Sequence, residues 1–156
     1  MRIAIGCDDA GFGLKEVIKQ HLQAQGVEVV DYGVKSPEQG DYPDVAHAVA
    51  VEVQKGNFER AILICGTGIG MCIVANKVPG VRAALCHDVY SAERARKSNN
   101  AQVLTMGARV IGPELAKMIV DAWLHSEFQG GRSAPKVEKV NKYEALHLGT
   151  GEQASC

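Results

Sequence analysis

The clearest chemistry in the chain lies in Ile64-Cys65-Gly66-Thr67-Gly68-Ile69-Gly70. A β-branched apolar run, Arg60–Cys65, ends in a thiol, three glycines follow within five residues, and a helix-period segment begins at Ile69. Glycines in such a loop let backbone N–H groups face an anion without Cβ interference, and the helix N-terminus adds favourable potential. The same field favours the thiolate of a cysteine at its mouth, so Cys65 can serve as base or nucleophile beside an anion cradle. The bland alternative is a tight turn with a buried cysteine.

Four known motifs compete for this loop and none fits. The phosphate loop G-x-x-x-x-G-K-[ST] finds no lysine here, and the dinucleotide fingerprint G-x-G-x-x-G needs a glycine at 71, where Met71 stands. That same Met71 occupies the arginine position of a cysteine-phosphatase loop. A glutaminase-type Cys–His pair needs a histidine near the final strand, whereas His125 and His147 fall on predicted helices. Asp8-Asp9 also invites comparison with receiver domains, whose paired acids bind magnesium. Those domains need an aspartate and a lysine at the places held by Cys65 and Arg109. The receiver reading fails on both.

The elements that must position these residues alternate in type. Strands are predicted over Arg2–Cys7, Val27–Tyr32, Arg60–Cys65, Val81–Cys86 and Val103–Gly107. Helices are predicted over Gly11–Gln25, Asp44–Lys55, Ile69–Lys77, Val89–Asn99 and Pro113–Ser126. In the first helix Leu14, Val17, Ile18 and Leu22 share one face, with Lys15, Glu16 and Lys19 outside. Pro113 suits a first helical turn, where its missing N–H leaves no bond unmade. Such alternation implies right-handed βαβ crossovers and a Rossmann-like, three-layer α/β/α domain with a five-stranded parallel sheet. Ligands in such folds bind outside the carboxyl ends of the strands. The places that matter are therefore Cys7-Asp8-Asp9, Tyr32-Gly33, Cys65–Gly70, Cys86-His87-Asp88 and Gly107-Ala108-Arg109.

Beyond the fifth strand and its helix, Gln129–Pro135 reads as a turn-rich break, followed by a helix over about Lys136–His147. It comes after the sheet is complete, so it is expected to reach toward a partner subunit. Residues 1–148 are read as one domain and 149–156 as a flexible tail.

Bulk properties exclude several classes. The chain has 156 residues, 46% apolar and 22% charged, which suits one globular domain. A net charge of −1 offers no general attraction for nucleic acid or an anionic membrane, so any anion site must be local. No apolar run approaches the length of a membrane span, and the strand-like start at Met1 leaves no room for a signal peptide. A cytoplasmic location is expected. Five cysteines, Cys7, Cys65, Cys72, Cys86 and Cys156, follow no disulfide or zinc spacing, and most should be buried free thiols.

Taken in order, Ile5-Gly6-Cys7-Asp8, Ile64–Gly70 and Ala75-Asn76-Lys77-Val78-Pro79-Gly80-Val81-Arg82 resemble the ribose-5-phosphate isomerase B / galactose-6-phosphate isomerase family. Asn99-Asn100-Ala101, Gly107-Ala108-Arg109 and Gly130-Gly131-Arg132 continue the resemblance, which runs from Met1 to about Tyr143. It implies isomerisation of a small sugar phosphate through a cis-enediol(ate), with no metal and no cofactor. It also implies a homodimer with shared active sites, able to pair into a tetramer. Cys65 would move the proton between carbons, Thr67 would hydrogen-bond near the reacting oxygens, and the N–H groups of Gly66, Thr67, Gly68, Ile69 and Gly70 would stabilise the oxyanion. Asp8 would hold a substrate hydroxyl or shuttle a proton between oxygens, alongside a capping role for the first helix. Asn99, Arg109 and Arg132 match substrate-binding positions, Arg132 from the partner subunit.

Three departures bear on the substrate. The family usually places histidine where Asp9 stands and a ring-opening histidine where Ser98 stands. After Gly-Gly-Arg, Ser133-Ala134-Pro135-Lys136 replaces histidine, two variable residues and arginine. Asp9 and Lys136 thus remain at substrate-binding positions with altered chemistry, Asp9 repelling a phosphate nearby. The set Lys97-Ser98-Asn99-Asn100 with Gly131-Arg132-Ser133-Ala134 most resembles the branch acting on tetrulose 4-phosphates.

Overall fold

The structure is a computed structural model that describes residues 1–34 and 41–154. Five strands, β1 (Arg2–Cys7), β2 (Glu28–Asp31), β3 (Arg60–Cys65), β4 (Ala83–Leu85) and β5 (Val103–Gly107), form one parallel sheet in the order β2-β1-β3-β5-β4. The three central strands are near-continuous apolar runs because both their faces are covered: every residue of β3 and β5 is buried. The edge strands β2 and β4 are short and half-exposed.

Helices α1 (Phe12–Ala24), α4 (Val89–Lys97) and α5 (Pro113–Leu124) cover one face, over a core that includes Ile18, Leu22, Ile119 and Trp123. Helices α2 (Tyr42–Gln54) and α3 (Ile69–Asn76) cover the other, around Ala46, Val49, Met71 and Ala75. The chain leaves β1 toward β2 on one side and returns to β3 on the other. That reversal opens a crevice at the carboxyl ends of β1 and β3, where Cys7-Asp8 and Cys65-Gly66 stand.

The predicted three-layer fold is therefore present, with corrections at its margins. Edge strands are shorter than Val27–Tyr32 and Val81–Cys86, and α2 begins at Tyr42 rather than Asp44, with Pro43 in its first turn. Lys15, expected outside, is buried: its Nζ donates to both Asp31 oxygens, at 3.1 and 2.9 Å, and to the Val34 carbonyl at 2.8 Å. A carboxylate at the end of β2 gives the ammonium a partner, and the Phe12 ring lies 4.9 Å from Nζ on another side.

After α5, a short 3₁₀ turn (Gly131–Ser133) leads into α6 (Ala134–Ala154), which starts earlier and runs further than Lys136–His147. Ser155 and Cys156 lie outside the described residues. Helix α6 leans on its own chain: Glu144 accepts the Gly80 N–H at 2.8 Å, and Arg82 donates to Asn141 at 3.3 Å. Val137 is buried, while Val140, Tyr143 and Leu146 are exposed. Among the described residues, no helix is long and apolar enough to cross a membrane.

Candidate active site

Cys65 ends the central strand and is 4% exposed. Its Sγ accepts the Gly68 N–H at 3.0 Å, directly before α3 begins. The thiol thus sits at a helix N-terminus with a backbone donor already aimed at it. Burial pushes Cys7 up to about 11 and Cys86 up to about 12, so both stay protonated at neutral pH.

The loop that carries Cys65 is held by backbone contacts that only glycine permits. Gly68 adopts φ +78°, and a Cβ there would stand 2.7 Å from the Met106 carbonyl carbon and 2.6 Å from Leu85. A Cβ on Gly107 would stand 2.6 Å from the Thr67 backbone. The β5 turn is thereby pressed against the β3 loop, and two further bonds fix it: Ala108 N–H to the Cys65 carbonyl at 2.8 Å and Arg109 N–H to the Gly66 carbonyl at 3.0 Å. Thr105 Oγ1 donates to the Gly68 carbonyl at 2.9 Å, and Thr67 Oγ1 accepts the Ile69 N–H at 3.2 Å. Gly70, the second residue of α3, faces the Tyr42 ring.

Asp8 lies beside this loop, its N–H donating to the Ile64 carbonyl at 3.3 Å. Its carboxylate accepts the Gly11 N–H at 3.0 Å, which ties the turn before α1; the capping position itself is held by Gly11. Burial raises the Asp8 pKa, the Gly11 bond opposes it, and the negative charge of exposed Asp9 adds to the rise. A carboxyl so placed holds a proton more readily than a free aspartate does. Arg109 lays its guanidinium along Gly66, with Nη1 3.4 Å from where a Cβ would stand.

One chain brings Cys65, Thr67, Asp8 and Arg109 together but gathers the remaining candidates elsewhere. Ser98, Asn99, Ser133 and Lys136 line a separate cavity of about 540 Å³ with Asn76 and Val140, and no residue of the 65–70 loop lines it. Arg132, exposed in the 3₁₀ turn, adjoins this second group. Among the described residues, no group of three or more His, Cys, Asp or Glu side chains is clustered to hold a metal ion.

Two neighbours escaped the sequence reading of roles. His87 Nε2 accepts the Gly107 N–H at 2.9 Å and so braces the β5 turn. Its place at the end of β4 was visible, but its partner depends on β4 lying beside β5. Tyr42 was placed before the helix it begins, and its contact with Gly70 depends on α2 packing on α3.

This sequence and fold recur in proteins of known kind. The Ribose/Galactose Isomerase family matches residues 3–140. The D-erythrulose-4-phosphate isomerase of Pectobacterium atrosepticum is 61% identical over 145 residues, 92% of this chain and 95% of that one. The ribose-5-phosphate isomerase B of Escherichia coli is 50% identical over 92% of this chain and 96% of its own. Among solved structures, ribose-5-phosphate isomerase B of Clostridium thermocellum superposes with a TM-score of 0.92 at 48% identity, covering 94% of this chain and 99% of that one. A match that takes in all five strands, the glycine loop and both groups of candidate residues places this chain in the ribose/galactose isomerase family.

Proposed function

We propose that this sugar-phosphate aldose–ketose isomerase interconverts erythrulose 4-phosphate and erythrose 4-phosphate, with Cys65 as the base. The observation that carries the chemistry is the Cys65 sulfur held by the Gly68 N–H at the start of α3. Cys65 takes the proton from the carbon beside the carbonyl, giving a cis-enediol(ate), and returns it to the neighbouring carbon. The hydroxyl proton moves between the two oxygens in the opposite sense, with Asp8 as the shuttle. Thr67 and the N–H groups of Gly66 and Gly70 face the charge that develops on oxygen, while those of Gly68 and Ile69 hold the Cys65 sulfur and the Thr67 hydroxyl.

Arg109, Arg132 and Lys136 supply the cations for the phosphate; none of the three is ion-paired among the described residues. Asn99 adds a polar contact, and Asp9 borders the site as an acid that keeps the phosphate away from the end of β1. Arg132, Lys136 and Asn99 reach the Cys65 of a second copy, so a homodimer with shared sites is the working unit. Two exposed apolar surfaces support this: Ile69 and Ile73 on α3, and Val140, Tyr143 and Leu146 on α6. Such dimers could pair into tetramers, and the enzyme works in the cytoplasm.

The four-carbon substrate is argued from Ser98. Ribose 5-phosphate closes a furanose ring through its C4 hydroxyl, and its isomerase benefits from a group that opens that ring. In a tetrose 4-phosphate that oxygen bears the phosphate, so no furanose forms and a histidine at position 98 is not needed. The 61% identity to an erythrulose-4-phosphate isomerase supports the same reading. Ribose 5-phosphate, named for the Escherichia coli and Clostridium relatives, is the second reading. The test is kcat/KM for erythrose 4-phosphate and ribose 5-phosphate under identical conditions, with a Ser98→His variant alongside. The tetrose should win, and Ser98→His should gain only toward the pentose. A tenfold advantage for ribose 5-phosphate in the unmodified protein would overturn the tetrose substrate.

A further inference from the structure

Ser98 closes α4 at its C-cap, and Arg94 lies one turn earlier on the same helix. The Arg94 guanidinium donates to the single Ser98 oxygen twice, from Nε at 2.9 Å and from Nη2 at 2.6 Å. A serine hydroxyl has two acceptor sites and one proton. Both acceptor sites are taken by Arg94, and none of the described residues accepts the proton. Ser98 also lines the cavity that holds Asn99, Ser133 and Lys136.

From this geometry we infer that Ser98 is an oriented hydrogen-bond donor to a substrate oxygen and that Arg94 is the positioning residue that makes it one. The inference rests on the proposed function, in which this cavity completes the substrate site. With its lone pairs engaged, Ser98 cannot act as an acceptor or as a base, so it discriminates for an oxygen that accepts. The nearby positive charge polarises the O–H and strengthens the bond it donates. The third guanidinium nitrogen faces Glu93 at 3.8 Å, and Glu93 is in turn 3.3 Å from Lys97, so the cation is tethered on its outer side as well. The best-matched acceptor is the open-chain carbonyl or enediolate oxygen of a short sugar phosphate, whose charge rises during proton transfer. Ser98 thus replaces an acid–base group with a fixed dipole.

The test is a double-mutant cycle read as kcat/KM for erythrose 4-phosphate. Ser98→Ala should lower it by about tenfold, the scale of one hydrogen bond to a charged group. Arg94→Met, similar in length but without donors, should lower it comparably by freeing the hydroxyl to rotate. The two together should be no worse than Ser98→Ala alone, because Arg94 acts through Ser98. Ser98→Thr, which keeps the hydroxyl, should restore most of the loss, and thermal midpoints should report whether any variant is merely unstable. Full additivity, or an unchanged kcat/KM in both single variants, overturns the inference while the isomerase reading stands. An unmodified protein that turns over neither tetrose nor pentose phosphate overturns both.

Discussion

Cys65 is defined by contrast with its neighbours. Cys7 and Cys86 are buried thiols whose pKa values rise with desolvation, whereas Cys65 meets a backbone donor at a helix start. Cys65→Ser keeps the shape but exchanges the thiol for a hydroxyl far harder to ionise. Its kcat should fall by at least ~100-fold, the scale of losing a general base, with KM little changed. Cys72→Ala, one turn into α3, is the control and should leave kcat near normal. Equal losses in the two variants would point to packing rather than chemistry. Gly68→Ala tests the loop itself. Its Cβ would meet the Met106 backbone in a conformation that L side chains rarely adopt, so the Gly68 N–H must swing away from sulfur. Activity should fall steeply while far-ultraviolet circular dichroism stays native; a fully active variant would show that this donor is dispensable.

The elements around the site depend on a pair that sequence pattern hides. Lys15 and Asp31 join α1 to the end of β2, and Lys19 adds a bond to the same carboxylate at 3.0 Å. Burial would raise the Asp31 pKa, but bonds from Lys15, the Gly33 N–H and Lys19 outweigh it, and the carboxyl titrates below its ordinary range. A lowered folded-state pKa contributes stability above the unfolded value and loses it as pH falls through the folded one. Stability measured by urea unfolding should therefore drop as pH falls below the usual aspartate range. Asp31→Asn should cost about 3 kcal/mol near neutral pH, because it leaves Lys15 buried without its main partner. It should also flatten that acid-side slope, and an unaltered slope would show that Asp31 is not its source.

The same pair explains what was legible. Limits for β1, β3 and β5 agree with the sequence reading because strands covered on both faces are unbroken apolar runs. Edge strands β2 and β4 lack that signal, and α6 continues through small polar residues with no apolar period to mark it. Cys65, Asp8 and Arg109 could be found because each follows a strand at the sheet's carboxyl edge. Lys15 with Asp31 and His87 with Gly107 could not, since each depends on which strands become neighbours.

At the scale of the whole molecule, the candidate residues fall into two groups that one chain keeps apart. Cys65, Thr67, Asp8 and Arg109 share the crevice between β1, β3 and β5, while Asn99, Lys136 and Arg132 gather where α4 meets α6. In the proposed two-fold dimer, the first group of one subunit would meet the second group of its partner, and each interface residue would serve twice. Ile69 and Ile73, beside the Cys65 loop, are exposed, and in that proposal they would pack against a neighbour's α6. Subunit complementation tests this account most directly. Cys65→Ser and Arg132→Ala proteins should each be nearly inactive on erythrose 4-phosphate. Mixed equally and allowed to exchange subunits, they should recover about a quarter of unmodified activity, because half the dimers are mixed and each mixed dimer has one intact site. Folded variants that exchange subunits yet recover nothing would contradict the shared site, as would a fully active monomer.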